Sequence, residues 1–288
     1  MHWSTPMAKP DFMTGVATDI PASPASMLFF GCGNMGGAIL NGMIAGGCPP
    51  GAFHVHDPYA SALPEGVVRC DAKSAHGRFD VVLLAIKPQM LTQLAGELRP
   101  MLADGALLVS VLAGIRIGSL QALFPAARVV RLMPNLAAAL GKSPMALCAP
   151  GLDAVARDEL SVWLGHCGPV EWIAEESDMD LVTALAGSGP AYLYRFIDAL
   201  ARGAAELGLP ADQASRMALA TVEGAAMLAV ASGESPGVLA DKVASPGGST
   251  REGMNVLDND DALARLLRDT LAAARDRNIE LSLLAERP

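Results

Sequence analysis

Apolar and polar residues follow one another in regular blocks up to about residue 173, and the blocks predict alternating strands and helices. Four largely apolar runs have strand length: 27–30, 81–86, 107–112 and 128–133. Shorter runs of the same kind are 53–56, 145–148 and 170–173. Continuous apolar strands are typical of a parallel sheet that is covered on both faces. Because segments of helical composition separate these runs, the pattern predicts a doubly wound parallel sheet.

Beyond residue 173 the apolar spacing becomes helical and no further strand is predicted. The predicted helices there are 178–186, 190–207, 211–232, 239–243, 251–257 and 260–284. At 288 residues the chain is long enough for two domains. We therefore predict a disordered extension over residues 1–26, an α/β domain over 27–174 and an all-α domain over 175–288.

The first predicted strand runs directly into a glycine-rich turn that opens a helical segment. Its spacing is the dinucleotide fingerprint of a Rossmann fold: Gly31 allows the tight turn, Gly33 leaves room for a pyrophosphate, and Gly36 lets the helix approach the strand. The N-terminus of that helix supplies free N–H groups to phosphates. The predicted cofactor contacts in the turn are Gly31, Cys32, Gly33, Asn34, Met35 and Gly36.

Other strand ends carry residues suited to the same cleft, because ligands of such sheets lie beyond the carboxyl ends of the strands. Asp57 ends the second predicted strand, and Lys87-Pro88, Ala113-Gly114 and residues 133–135 end later ones. Asp57 can accept hydrogen bonds from the ribose hydroxyls of NADH. Its charge repels a 2′-phosphate by about 1 to 4 kcal/mol at 4 Å. Because the nearest arginine, Arg69, is 12 residues away, we predict that NADPH and NADH both bind, with a lean towards NADH.

Two further glycine-rich loops lie in the helical half. Ser188 and Gly189 precede Pro190 at a predicted helix start, where free N–H groups can bind an anion. The second loop has the same composition and contains Ser245, Gly247, Gly248, Ser249 and Thr250. Two such loops in a segment poor in charge predict a substrate carboxylate held by backbone N–H groups and hydroxyls.

Composition excludes several classes of function. A formal net charge of −9 argues against a nucleic-acid partner. Five scattered cysteines with no CxxC spacing fit a reducing compartment, so we predict a cytoplasmic protein in which Cys32 is a spacer. The five histidines form no metal-spaced cluster, and we predict no metal. Residues 1–26 lack the pattern of a signal peptide, and no apolar run reaches the roughly 20 residues that span a bilayer, so no membrane association is predicted.

Five motifs, in their order and spacing, resemble the pyrroline-5-carboxylate reductase family over residues 27–284. They are GCGNMGGA, IKPQ, RLMPN, AGSGPAY and VASPGGSTREG. The resemblance implies a Rossmann domain followed by an all-α dimerisation domain of the 6-phosphogluconate-dehydrogenase C-terminal type. It also implies hydride transfer from NADPH or NADH to the C=N carbon of 1-pyrroline-5-carboxylate, the last step of proline synthesis. The implied assembly is a homodimer, or a larger oligomer built from dimers.

The same resemblance implies roles for individual residues. The nicotinamide-ribose side of the cleft would be lined by Ala85, Ile86, Lys87, Pro88, Val111, Leu112 and Ala113. Glu176 and Lys242 would reach the cofactor from the second domain. Ser249 and Thr250 would bind the substrate, with Thr250 holding the ring nitrogen. The chain departs from the family over Leu136–Pro144, where a usual threonine is missing, and at Arg251, where an aliphatic residue is usual.

Two other interpretations stay open at this point. A β-hydroxyacid dehydrogenase or ketopantoate-type reductase has the same architecture, but it needs a general acid, typically a lysine in the first long helix of the second domain. Residues 178–207 contain no lysine. The other alternative is a regulatory paralogue that binds NAD(P) without turnover, for which the altered segment 136–144 is the supporting feature.

Overall fold

The computed structural model describes residues 20–60, 62–71 and 79–285. Contacts divide the chain into two compact units. The sheet unit comprises the described residues up to Gly187 together with those from Ala273 onwards, and the helical unit is Ser188–Ala272. The boundary between these contact units, at 187/188, lies 13 residues after the predicted domain boundary at 174/175, which stays a prediction. Residues 273–285, which the prediction assigns to the helical domain, group with the sheet unit by their contacts.

The sheet unit is built on one eight-stranded sheet with the order β3-β2-β1-β4-β5-β6-β7-β8. Its strands are β1 (Met27–Phe30), β2 (Phe53–His56), β3 (Val68–Arg69), β4 (Phe79–Leu84), β5 (Leu102–Ser110), β6 (Arg128–Met133), β7 (Met145–Cys148) and β8 (Val170–Trp172). All neighbouring strands are parallel except β6 and β7. The order from β3 to β6 is that of a Rossmann sheet, which confirms the predicted fold class.

Helices cover both faces of this sheet. They are α1 (Asn34–Ala45), α2 (Leu91–Leu98), α3 (Ile117–Leu123), α4 (Ala154–Gly165) and α5 (Met179–Val182). One core contains Phe29 of β1 with residues of α1 and α4, and the other contains Phe30 with residues of α2 and α3. Successive residues of β1 thus enter opposite cores, which explains why the strand sequence is apolar throughout.

The helical unit contains α6 (Gly189–Glu206), α7 (Ala211–Ser232), α8 (Pro236–Val243), α9 (Ser249–Asp258) and most of α10 (Ala262–Ala285). Large apolar side chains of α7 remain in contact with solvent, among them Met217, Met227 and Val230. By length and hydropathy alone, α7 is the one helix in the described part of the chain that could cross a membrane. Length and hydropathy do not distinguish such a helix from one that a second protein surface covers.

One local prediction is wrong, and one strand was missed. Residues 20–26, assigned to a disordered extension, contact the sheet unit: the Pro21 carbonyl accepts from Trp163 Nε1 at 3.0 Å, and the Ala22 carbonyl bonds His166 Nε2 at 2.8 Å. Residues 1–19 of that extension lie outside the described residues. The strand β3 was not predicted, because two residues are too few to produce a periodic pattern.

Candidate functional site

The glycine turn has the geometry that its spacing predicts. Gly31 adopts φ +93°, and a Cβ there would lie 2.6 Å from the Ala85 carbonyl oxygen. A Cβ on Gly36 would lie 2.6 Å from the Gly31 carbonyl oxygen. These two positions are therefore closed to any larger residue, and the turn holds β1, β4 and α1 at their closest approach.

Gly33 differs from its two neighbours in the motif. It is exposed, and a Cβ there would meet no atom within 4 Å. It is also the N-cap of α1, so no capping side chain accepts from the first N–H groups of that helix. Open space in front of free helix N–H groups fits a pyrophosphate. The residues present thus suit a dinucleotide at this turn.

Backbone hydrogen bonds draw the predicted rim together at the carboxyl ends of four strands. Gly31 N donates to His56 O at 2.9 Å, Ala85 N to Phe30 O at 2.9 Å, and Val111 N to Leu84 O at 3.1 Å. The predicted cofactor residues 31–36, 57, 85–88 and 111–113 accordingly lie along one edge of the sheet. Lys87 and Ala113 are exposed on this edge, while Leu112 is buried beneath it.

Asp57 supports the glycine turn through its carboxylate. Its Oδ2 accepts from Cys32 N at 2.7 Å, and its Oδ1 accepts from Tyr59 N at 2.8 Å. A carboxylate has about four lone-pair positions, so each oxygen can still accept from a ribose hydroxyl. Burial raises the pKa of the Cys32 thiol, the charge of Asp57 raises it further, and Arg69 opposes them. A protonated thiol at neutral pH fits the predicted role of Cys32 as a spacer.

The undetected strand β3 brings Arg69 next to Asp57. Parallel pairing sets Arg69 opposite Val55 of β2. The guanidinium Nη1 donates to the Asp57 carbonyl at 3.3 Å, and Nη2 donates to the Ala60 carbonyl at 2.8 Å. An arginine that is 12 residues from Asp57 in sequence is thus its neighbour in space, which sequence spacing did not reveal.

Glu176 has structural partners besides the cofactor contact that the resemblance implies, and that contact stays a prediction. It belongs to the sheet unit, where its Oε1 accepts from Arg131 Nη1 at 2.9 Å and from Ile117 N at 2.7 Å. The Arg131 side chain is only 5% exposed and that of Glu176 is 26% exposed. This carboxylate therefore neutralises a buried guanidinium and satisfies the first N–H of α3.

Lys242, for which the resemblance implies a cofactor contact, is paired with a carboxylate in the single chain. In the helical unit, Lys242 Nζ lies 2.6 Å from each carboxylate oxygen of Glu234. Just before the first glycine-rich loop, residues Thr183–Gly187 form a π-helical turn, most of it within the predicted helix 178–186, that leads into α6. Ser188 has helical φ and ψ, so α6 does not begin from an extended cap. Single π-helical turns of this kind frequently occur at functional sites.

The second loop retains its predicted form. Gly247 adopts φ +70°, and Gly248 N donates to Ser245 O at 2.9 Å. Gly248 is the N-cap of α9, and Ser249 and Thr250 follow as its first, exposed residues. The unusual Arg251 donates to Asp241 Oδ1 at 2.8 Å and to Ala244 O at 3.4 Å. It therefore ties the first turn of α9 to α8 on the far side of this loop.

The unusual segment after β6 packs against α1. Asn135 Oδ1 accepts from Ala137 N at 2.9 Å and so caps a 3₁₀ turn over Leu136–Leu140. A Cβ on Gly42 of α1 would overlap the Ala138 carbonyl. Ser143, buried, accepts from Asn135 N at 2.8 Å. These contacts give the segment a structural part in holding the helix that follows the glycine turn.

Comparisons with known proteins match both halves of the chain. A family model described as pyrroline-5-carboxylate reductase dimerisation matches residues 176–281. A second model, described as NADP oxidoreductase, coenzyme F420-dependent, matches residues 26–114. The second range includes the glycine turn, Asp57 and the 85–88 edge.

Relatives match over almost their whole length. The pyrroline-5-carboxylate reductase of Glycine max is 36% identical, over 91% of this chain and 98% of that protein. The solved structure of a pyrroline-5-carboxylate reductase from Coxiella burnetii has a TM-score of 0.82 at 30% identity, covering 90% of this chain and 99% of that one. The Plasmodium falciparum enzyme, solved with NADP bound, shares the fold with a TM-score of 0.76 at 24% identity, over 90% of this chain and 98% of that one. By these matches, the chain belongs to the pyrroline-5-carboxylate reductase family.

Proposed function

We propose that the two units divide the reduction between them, the sheet unit binding NAD(P)H and the helical unit binding the imine. As a member of its family, the chain is an NAD(P)H-dependent reductase that converts 1-pyrroline-5-carboxylate to L-proline. The observation that best supports the cofactor half is Gly33, whose open surface faces the free N–H groups of α1. The loop from Ser245 to Thr250, with its exposed hydroxyls and the left-handed Gly247, supports the substrate half.

The chemistry makes few demands on the protein. Hydride from the bound nicotinamide attacks the imine carbon, and the nitrogen carries a proton that a cyclic imine takes from water. No buried general acid is needed, which agrees with a helical half that has no histidine and the single lysine Lys242. Thr250 holds the ring nitrogen, and the N–H groups at the start of α9 hold the carboxylate. Ser249, Ser188 and Gly189 are the other proposed contacts of the substrate. Catalysis then consists of positioning and electrostatics.

Thr250 is the residue on which the substrate half is tested. Thr250→Val removes the hydroxyl at nearly constant volume, so it is expected to raise KM for the imine about tenfold, the value of one hydrogen bond. KM for the cofactor should change less than twofold. Arg251→Leu, one residue further along α9, serves as the control for general disturbance of the loop. Equal rises in both KM values would remove Thr250 from the substrate site.

Both cofactors are proposed to support the reaction. Asp57 favours NADH, because its carboxylate can accept from ribose hydroxyls and repels a 2′-phosphate. Asp57→Ser is expected to shift the ratio of kcat/KM for NADPH over NADH towards NADPH. Because Asp57 also bonds Cys32 N, both absolute values are expected to fall. An unchanged ratio would show that Asp57 has no part in the choice of cofactor.

The helical unit is proposed to join two copies of the chain. The dimerisation model covers all of it, and apolar residues of α7 are exposed in the single chain. A second copy would cover them, as no further element of the described chain does. Larger assemblies of such dimers stay a prediction from the family resemblance.

One assay separates the proposed activity from its rivals. Purified protein is mixed with 1-pyrroline-5-carboxylate and either NADPH or NADH, and oxidation of the cofactor is followed by absorbance. The expected result is turnover that depends on the imine. Turnover of a 3-hydroxy acid instead would favour a β-hydroxyacid dehydrogenase. Tight cofactor binding without any turnover would favour a regulatory paralogue.

A further inference from the structure

We propose that Arg69 binds the 2′-phosphate of NADPH and thereby lets a site that contains Asp57 accept the phosphorylated cofactor. The inference rests on the cofactor site proposed above and adds a specificity-determining residue to it. In Rossmann sites the adenosine ribose lies at the end of the second strand, where an acidic residue receives the 2′-hydroxyl or an arginine receives the 2′-phosphate. This chain places a residue of each kind at that end.

The placement follows from the sheet. Asp57 directly follows β2, and β3 lies outside β2 at the sheet edge, so Arg69 reaches the end of β2 from the side. Its Nη1 and Nη2 donate to the carbonyls of Asp57 and Ala60 at 3.3 and 2.8 Å. The guanidinium therefore lies over the turn that a ribose at Asp57 would face, and its position is set by two bonds.

The guanidinium keeps donors for a ligand. It has five N–H groups, and the two carbonyl bonds use two of them. The side chain is exposed, so a phosphate can approach it without displacing packed residues. Arginine N–H groups bind phosphate more strongly than they bind neutral carbonyls, because the bond is charge-assisted and can be bidentate. The Asp57 carboxylate accepts hydrogen bonds from Cys32 N and Tyr59 N. These bonds hold the carboxylate in place while the phosphate binds Arg69.

A purely structural role of Arg69 predicts a different result. If Arg69 only braces residues 57–60 through their carbonyls, its loss disturbs the adenosine end for both cofactors alike. If it binds the 2′-phosphate, its loss weakens NADPH selectively. The ratio of the two dissociation constants therefore separates the roles, whatever the change in either constant alone.

The experiment measures binding without the imine. Dissociation constants for NADPH and NADH are obtained by fluorescence titration, and those for adenosine 2′,5′-bisphosphate and AMP by calorimetry. Arg69→Gln is expected to weaken NADPH and the bisphosphate about 10- to 100-fold, the range of a charge-assisted bond, and to leave NADH and AMP within about twofold. Arg69→Lys keeps the positive charge but loses the paired N–H donors of the guanidinium, so its loss of NADPH affinity should be smaller than that of Arg69→Gln. Arg99→Gln is the matched control, because Arg99 is another exposed arginine bound to a carbonyl, that of Leu123, at a distant turn.

Three outcomes would overturn the proposal. One is an equal loss for both cofactors in Arg69→Gln, and a second is no loss for either. The third needs no variant: wild-type protein that binds the bisphosphate no more tightly than AMP has no 2′-phosphate site. Because none of these measurements includes the imine, failure of the reductase assay would leave the role of Arg69 in cofactor binding unaffected. Conversely, if Arg69 did not bind the 2′-phosphate, the proposed reductase activity with both cofactors would be unaffected.

Discussion

The sheet unit and the helical unit differ in how far each one buries its own apolar residues. In the sheet unit every residue of β1, β7 and the second half of β5 is buried. In the helical unit, apolar residues stay exposed on every helix, as Leu193, Met227, Val238, Val256 and Leu266 show. The first unit has a closed core, whereas the second leaves exposed the apolar side chains that a core would bury. The difference indicates that one unit folds around itself and the other is completed by association.

The largest expected effect comes from a charge placed on the open helical surface. Met227, in α7, is 58% exposed in the single chain. If a second copy covers it, Met227→Glu buries an unpaired charge and weakens the dimer by about 3–5 kcal/mol. Sedimentation velocity at micromolar concentration should then show monomers.

The matched control lies in the other unit. Val155, in α4, is 67% exposed, and Val155→Glu should leave the dimer intact because nothing needs to cover that surface. If Met227→Glu sedimented like the wild type, α7 would be excluded from the interface. If both variants dissociated, the comparison between the units would be wrong.

The next effect tests the closed core of the sheet unit. Glu176→Gln removes the charge that neutralises Arg131, whose side chain is only 5% exposed. We expect a loss of about 3 kcal/mol in the free energy of unfolding, at the low end for such pairs because Glu176 is partly exposed. Urea denaturation measures it. An unchanged midpoint would mean that Arg131 finds other compensation. NADPH binding by the folded variant should persist, since Glu176 has a structural role here.

A smaller effect is expected where α1 meets the segment after β6. Gly42→Ala places a methyl group against the Ala138 carbonyl, and overpacking of this kind costs about 1–3 kcal/mol. Gly96→Ala in α2 is the control, because a Cβ there meets no atom within 4 Å. That control should stabilise the protein by up to about 1 kcal/mol through helix propensity. Thermal unfolding of the two variants should therefore move in opposite directions, and parallel shifts would contradict the contact.

The last test uses the cysteines of the sheet unit as reporters of how firmly that unit is closed. All five lie in the sheet unit, and burial is the main cause that raises the pKa of each thiol, to about 12 for Cys167. The reactive thiolate is therefore scarce at neutral pH, and its fraction rises about tenfold per pH unit below the pKa. Alkylation of native protein should be slow at pH 7 and faster at pH 9. Met227→Glu should not accelerate it, whereas Glu176→Gln should. Rapid labelling of the native wild type would contradict a closed sheet unit.

The sequence predicted the strands where composition alone decides them. The bounds of β1 and β7 agree with the predicted runs, because both strands are apolar and buried at every position. The long helix α7 agrees equally well, since Pro210 and Gly233 mark its ends.

What depends on pairing between distant residues was missed. Two-residue β3 has no pattern of its own and exists through its pairing with β2, so the position of Arg69 was hidden. The bond between Arg131 and Glu176 spans 45 residues, and no local rule foresees it. The π-helical turn Thr183–Gly187 falls largely within the predicted helix 178–186, and its π form was missed because apolar spacing does not distinguish one helical turn from the other.

The return of the last helix has a consequence for how the chain is made. Residues 273–285 belong to the sheet unit: Asn278 Nδ2 donates to Asp180 O at 3.1 Å, and a Cβ on Gly114 would lie 3.7 Å from Ser282. The helical unit is thus an insertion between two parts of the sheet unit. A chain leaving the ribosome from its N-terminus can form the sheet early, but the sheet unit acquires the contacts of residues 273–285 only after the whole helical unit has been synthesised. Removal of residues 273–285 should therefore destabilise the sheet unit, although its strands are synthesised before the helical unit.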